Sequence, residues 1–91
     1  MSVRYSVPDD IIDRGIGDEL LIHHFETDEV FVLNAHAKLV FEAVKGGSSR
    51  EDVQAFVAAR VFCDTAELHR AIDGALEKLL AEGVIVCESE P

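Results

Sequence analysis

The segment DEVFVLNAHAKLVFEAVKGGSS, residues 28–49, changes its hydrophobic period at Asn34. Residues 30–33 are a short run of amino acids that favour β-strands, and after Asn34 the apolar residues recur at helical spacing as far as Gly46. Asparagine favours the N-cap of a helix because its side-chain oxygen accepts a backbone N–H of the first turn. The segment therefore predicts a strand that passes directly into a helix.

The pattern before this segment predicts two more strands. The first is Ile11–Ile16, which ends at a Gly-Asp turn, and the second covers residues 19–25. A polar loop, residues 26–29, then leads to the third strand, residues 30–33. Because the three strands follow one another through short turns, the sequence predicts an antiparallel meander.

Two further helices are expected after the first. Ser48, with Glu51 three residues later, has the form of a capping box and predicts the start of the second helix. Asp64 or Thr65 is expected to cap a third helix, residues 66–82, which a glycine then ends.

The order of these elements predicts an α+β fold of the winged helix-turn-helix type, with a three-stranded antiparallel sheet followed by three helices. A chain of 91 residues without linkers or repeats predicts one domain, residues 1–91. The apolar tail, residues 84–87, is expected to pack back on this domain.

The charge of the chain limits its partners. Eighteen Asp and Glu residues against eight Lys and Arg residues give a formal net charge of -10. Such a field repels nucleic acid phosphates and anionic membranes at short range. We therefore expect no nucleic acid partner and no membrane partner.

The sequence also indicates a compartment. The start of the chain has no secretory signal pattern, and no apolar run approaches the ~18 residues that span a bilayer. Cys63 and Cys87 form no CxxC pair, and we expect them to be reduced, buried structural thiols. The prediction is a cytoplasmic protein.

The third helix bears on DNA binding, because three helices with a small sheet also describe a winged-helix DNA-binding regulator. Its charged residues are net acidic, whereas a recognition helix meets phosphates with basic side chains. They are Arg70 and Lys78 against Glu67, Asp73, Glu77 and Glu82. A DNA-binding regulator is therefore an alternative that the charge disfavours.

Apolar residues cover about half the circumference of the third helix, which is wider than the ~100° stripe of an ordinary surface helix. They are Leu68, Ala71, Ile72, Ala75, Leu76, Leu79 and Leu80. So wide an arc is more often held between two neighbouring elements, but part of it can face a ligand.

The third strand is an edge of the predicted meander and leaves backbone N–H and C=O groups unpaired. Natural proteins usually protect such edges with charge, proline or a bulge, and residues 30–33 contain no charge and no proline. The edge can accept an added strand, and a homodimerising scaffold module that pairs two copies through it is a further alternative.

The chain resembles the PqqD family, small proteins that bind the leader of ribosomally made precursor peptides and are also called RiPP recognition elements. Two stretches carry the likeness: DELLIHHFETDEVFVLNAHAKLVFEAVKGGSSREDVQAFV, residues 18–57, and LEKLLAEGVI, residues 76–85. Members of this family often have a Trp or another large aromatic residue in the first helix and an aromatic residue just before the Leu-Asn pair. This chain has no Trp: Phe41 is in the first helix, and Phe31 is the nearest aromatic residue to the pair.

The resemblance implies that a leader peptide adds a strand to the third strand and lies in the cleft between it and the third helix. The strand residues would pair through their backbone, and apolar residues of the helix would accept leader side chains. We expect Phe31 and Leu33 to point to the helices because Leu33 precedes the cap and Phe31 shares its strand parity. The implied peptide-binding residues are Val30, Phe31, Val32, Leu33, Leu68, Ala71, Ile72, Ala75 and Leu79.

The resemblance also implies a non-catalytic role, in which the bound peptide is delivered to a separate radical SAM enzyme or another modifying enzyme. No catalytic residues, metal site or cofactor are expected. His23 and His24 are adjacent on a predicted strand and so point to opposite faces, and the sequence contains no phosphate-binding glycine loop and no HExxH motif.

Overall fold

The computed structural model describes residues 2–62 and 64–90, so the prediction for Cys63 lies outside the described residues. Six strands and three helices follow one another along this part of the chain. Their order is β1 (Ser2–Ser6), β2 (Ile11–Ile16), β3 (Glu19–His24), β4 (Glu29–Leu33), α1 (Ala35–Val44), β5 (Ser48–Ser49), α2 (Arg50–Ala58), α3 (Thr65–Ala81) and β6 (Val86–Glu90).

The strands form two antiparallel sheets of three strands each. The meander sheet, in the order β2-β3-β4, is the one that the sequence predicts. The terminal sheet, in the order β5-β1-β6, joins both ends of the described chain and is not predicted from the sequence. The predicted α+β class with three helices is confirmed. The predicted sheet is one of the two three-stranded sheets in the described residues.

The strand register sets which side chains of the meander sheet face the helices. Leu20 lies opposite Leu33, and Ile22 lies opposite Phe31, so these four residues share one face. Leu20, Ile22 and Leu33 are buried, and Phe31 packs against the same core. The prediction that Phe31 and Leu33 point to the helices is confirmed.

The passage from β4 to α1 takes a single residue. Asn34 has extended backbone angles, and its side chain accepts a hydrogen bond from the backbone N–H of Ala37, as an N-cap does. The helix ends at Val44, after which Gly46 and Gly47 both have positive φ angles that favour glycine. The predicted strand-to-helix junction is confirmed.

The start of α2 differs from the prediction by one residue. The N-cap is Ser49, which forms a capping box with Asp52. Ser48 is instead in β5, where it lies opposite Tyr5, and its hydroxyl donates to the backbone carbonyl of Ala43. The prediction of Ser48 as the cap is wrong because α2 begins at Arg50, so the side chain of Ser49 accepts the backbone N–H of Asp52, while the Ser48 hydroxyl is bonded to Ala43.

The third helix has the predicted cap at Asp64, whose side chain accepts from the N–H of Ala66. Gly83 follows the end of the helix with a φ of 74°.

An ion pair joins α2 to α3: Arg50 Nε lies 3.4 Å from Asp73 Oδ1. A hydrogen bond with Tyr5 and the nearby Asp73 carboxylate raise the pKa of the Arg50 guanidinium.

The core lies between the meander sheet and the three helices. Its largest fully buried side chain is Phe41 of α1, which belongs to one apolar cluster with residues of the meander sheet, α2 and α3. Val84 and Ile85 are also buried, so the expected packing of the tail, residues 84–87, is confirmed for its first two residues. Cys87 is exposed, and the expectation of a buried thiol is wrong for this residue because it lies in β6 at the surface, beyond the buried pair.

Within the described residues, no helix has the length and apolar character that crossing a membrane requires.

Candidate functional site

The free edge of β4 is the first part of the candidate site. On one side β4 pairs with β3 over its whole length, and on the other side it has no partner strand among the described residues. The tail strand β6 pairs with β1 in the terminal sheet and leaves this edge open. Alternate backbone N–H and C=O groups of β4 therefore point away from the sheet, ready to pair with another strand.

The side chains of β4 do little to protect this edge. Val30 and Val32 lie on the face away from the helices and are 58% and 61% exposed. The one charged side chain of the strand, Glu29, is at its start, one residue before the predicted beginning. An incoming backbone can thus approach residues 30–33 without meeting a charge on the strand itself.

An apolar pocket of about 70 Å³ among the three helices is the second part of the site. It is lined by His36, Val40, Val57, Val61, Leu68, Ala71, Ile72 and Ala75. His36 belongs to the first turn of α1 and is three residues from Leu33, which keeps the pocket wall within ~11 Å of the end of β4. The direct passage from strand to helix thus brings the pocket close to the open edge.

The structure divides the predicted residues of α3 into three groups. Ala71 is exposed and Ala75 half-buried, so both are accessible at the pocket. Ile72 and Leu68 line the pocket but are almost fully buried. Leu79 does not line it and is 1% exposed in the core. Ile72 and Leu79 are among the residues expected to accept leader side chains, but both are 1% exposed and belong to the core cluster.

The sequence analysis does not identify four of the residues that line the pocket, although they recur at helical spacing. They are His36, Val40, Val57 and Val61. His36 and Val40 are four residues apart on one side of α1, and Val61 follows the end of α2, with its N–H donating to the backbone carbonyl of Val57 four residues earlier. Such pairs are typical of core packing, and only the crossing of the three helices shows that they also border a pocket.

The two adjacent histidines of β3 point to opposite faces, as predicted. His24 is buried on the helix side, with Nδ1 3.5 Å from Oδ2 of Asp10. His23 is on the other side, with Nε2 2.9 Å from Oδ1 of Asp28. Among residues 2–62 and 64–90, no cluster of three or more His, Cys, Asp or Glu side chains could hold a metal ion. The candidate site is a backbone edge beside an apolar pocket.

Comparisons with solved structures find the same fold in two other proteins. A structure of TbiB1 in complex with the TbiA(beta) leader peptide matches with a TM-score of 0.76 and 18% identity, covering 88% of this chain and 93% of that one. A structure of lasso peptide synthetase B1 complexed with the leader peptide matches with a TM-score of 0.75 and 18% identity, covering 90% and 96%. At this identity the likeness shows the fold alone.

Comparison with curated proteins finds no match. The family model of coenzyme PQQ synthesis protein D (PqqD) matches residues 19–85, from the start of β3 to the end of the buried tail pair. This stretch contains the edge strand, all three helices and every residue that lines the pocket. The chain therefore belongs to the PqqD family.

Proposed function

We propose that this protein is a non-catalytic adaptor that binds the leader of a ribosomally made precursor peptide and delivers it to a separate modifying enzyme. That enzyme is a radical SAM enzyme or another enzyme that acts on peptides. The observation that carries the proposal is the open edge of β4 beside an apolar pocket. Membership of the PqqD family supports it, as does the leader peptide present in both solved structures of the same fold.

In this proposal the leader binds by adding a strand to β4. The peptide backbone pairs with residues 30–33, which satisfies the unpaired N–H and C=O groups of the edge. Each such hydrogen bond contributes only ~0.5–1.5 kcal/mol net, and the pairing is indifferent to side-chain identity. The edge therefore fixes the conformation of the leader, and its sequence must be recognised elsewhere.

The pocket supplies that recognition. Its walls are almost entirely apolar, so they favour an apolar side chain of the leader. Ala71 and Ala75 occupy little space at the accessible side and leave room for a larger guest. Burying one branched or aromatic side chain there stabilises the complex by ~1.5–3 kcal/mol, more than any single hydrogen bond of the edge.

A binding role without catalysis agrees with the chemistry of the site. A covalent or acid–base mechanism needs a nucleophile or a titrating group held by a partner side chain. The one titratable side chain at the pocket is His36, which is exposed, and the remaining lining residues are aliphatic. We accordingly assign the chemistry to the partner enzyme.

Calorimetric titration with the precursor peptide encoded beside this gene tests the proposal. The leader half alone should bind within about twofold of the full peptide, and the core half alone should give no heat of binding. Binding of the core half with no contribution from the leader would overturn the proposed role.

A second candidate function follows from the same edge. Two copies could pair through β4 and form a homodimeric scaffold. Sedimentation velocity of the protein alone at rising concentration distinguishes the two roles, because an edge already paired with another copy could not bind a peptide until the dimer opened.

A further inference from the structure

The outer face of the meander sheet is the side that points away from the helices. Its residues alternate along each strand with those that face the core, as the register of β2, β3 and β4 requires. They are Ile12, Arg14, Ile16, Glu19, Leu21, His23, Val30 and Val32, with Phe25 just beyond β3. We call this set the outer face.

Large apolar side chains are concentrated on the outer face. Ile12 and Ile16 of β2 are 49% and 56% exposed, and Val30 and Val32 of β4 are still more exposed. Phe25 is 54% exposed, and its ring centroid is 4.7 Å from that of His23. In antiparallel sheets with one solvated face the outward positions are usually polar, and an exposed apolar surface of this kind marks an interaction site.

Acidic side chains border the outer face at both ends of the sheet. At the β2–β3 end these are Asp18 in the turn and Glu19 of the outer face itself, and at the β3–β4 end they are Glu26 and Asp28 in the turn. Two copies of a chain with a net charge of -10 would bring like charges together if they packed through this face. A partner protein with an apolar centre and a basic rim fits it better.

The outer face is continuous with the edge that binds the leader in our proposal. A peptide strand added to β4 would lie ~4.8 Å from it and would place alternate side chains on the same side as Val30 and Val32. The bound peptide would thus enlarge this face. A protein that docks here would touch adaptor and peptide together.

We propose that the outer face is the docking surface for the modifying enzyme, which meets it with apolar residues surrounded by Lys and Arg. This inference rests on the proposed function, because it takes the partner to be the enzyme that acts on the bound peptide. Since the enzyme would contact both, peptide and enzyme strengthen each other's binding by the same factor.

The double variant Ile12→Thr/Ile16→Thr tests the proposal. Both residues are on β2, two strands away from the peptide edge, and threonine keeps the β-branched shape that strands favour. The matched control is Val3→Thr/Val86→Thr, which makes the same kind of change at exposed positions of the terminal sheet. Affinity is measured with the purified modifying enzyme encoded beside this gene, with and without the precursor peptide.

We expect the outer-face variant to bind the enzyme at least about tenfold more weakly, while its affinity for the leader and the enzyme affinity of the control change less than about twofold. Unchanged enzyme affinity, or an equal loss in the control, overturns the proposal. A concentration-dependent dimer of the wild type that the outer-face variant abolishes also overturns it, by assigning the face to a second copy. Failure of the wild type to bind any leader would refute the proposed function, while enzyme docking without peptide would still report on the outer face.

Discussion

Asn34 Oδ1 accepts the backbone N–H of Ala37 at 2.9 Å, directly after β4 ends at Leu33. This hydrogen bond starts a helix without an intervening loop. His36 therefore lies in the pocket wall only three residues beyond the last residue of the open edge. Any loop inserted here would separate the two halves of the candidate site, so the junction is where fold and proposed function meet.

Removing the cap should destabilise the protein. Asn34→Ala deprives the first turn of α1 of its side-chain acceptor and should lower the free energy of unfolding by ~1 kcal/mol, as measured by urea denaturation. Asn34→Asp keeps an acceptor at the same position and serves as the control. Equal losses in the two variants would show that capping is not the reason.

Filling the pocket should weaken leader binding while the fold is retained. Ala71→Leu adds bulk at an exposed position of the pocket wall and should raise the Kd of the leader by at least about tenfold in calorimetric titration, because the guest side chain loses its space. Ala81→Leu, at an exposed position near the end of the same helix, is the control. If both variants bind the leader like the wild type, the pocket does not hold a leader side chain.

Leu79 should behave as a core residue. Truncation to Ala leaves a cavity among the helices and should lower the free energy of unfolding by ~2–5 kcal/mol. At a temperature where the variant remains folded, its affinity for the leader should stay within about threefold of the wild type. If the variant keeps the stability of the wild type but no longer binds the leader, Leu79 contacts the peptide and the core assignment is wrong.

The acidic surface should act on association rates. Complementary charge speeds the approach of partners, and salt screens it over a shorter distance as its concentration rises. Between ~50 and 500 mM salt, the association rate with a partner that has a basic surface should fall, whereas the dissociation rate should change little. Stopped-flow or surface-binding kinetics measure both rates, and association rates insensitive to salt would contradict a role for the net charge of -10.

The sequence predicts the meander sheet and the three helices because their signals are local. The isoleucines of Ile11–Ile16 before a Gly-Asp turn, the change of period at Asn34 and the cap at Asp64 each lie within a few residues of the element they define. The terminal sheet has no such signal. It joins Ser2–Ser6 to residues of β5 at least 43 positions away and to residues of β6 at least 80 positions away, and β5 has only two residues.

The candidate site is predictable in part for the same reason. The open edge follows from strand order, which turn lengths indicate. Strand alternation alone does not decide whether Phe31 or Val32 faces the helices; the position of Leu33 before the cap favours Phe31, and the register agrees. The side of α3 that stays accessible depends on how α1 and α2 cross it. The helical wheel therefore finds Ala71 and Ala75 but also includes Leu79, which the core covers.

The central claim is that a leader peptide pairs with the open edge of β4. Amide hydrogen exchange of β4 with and without saturating precursor peptide tests it most directly, because antiparallel pairing gives alternate residues outward N–H groups that only a new strand can protect. We predict that the peptide slows exchange at alternate residues of β4 and leaves β6 unchanged. If every β4 amide exchanges at the same rate with bound peptide as without it, the account is contradicted.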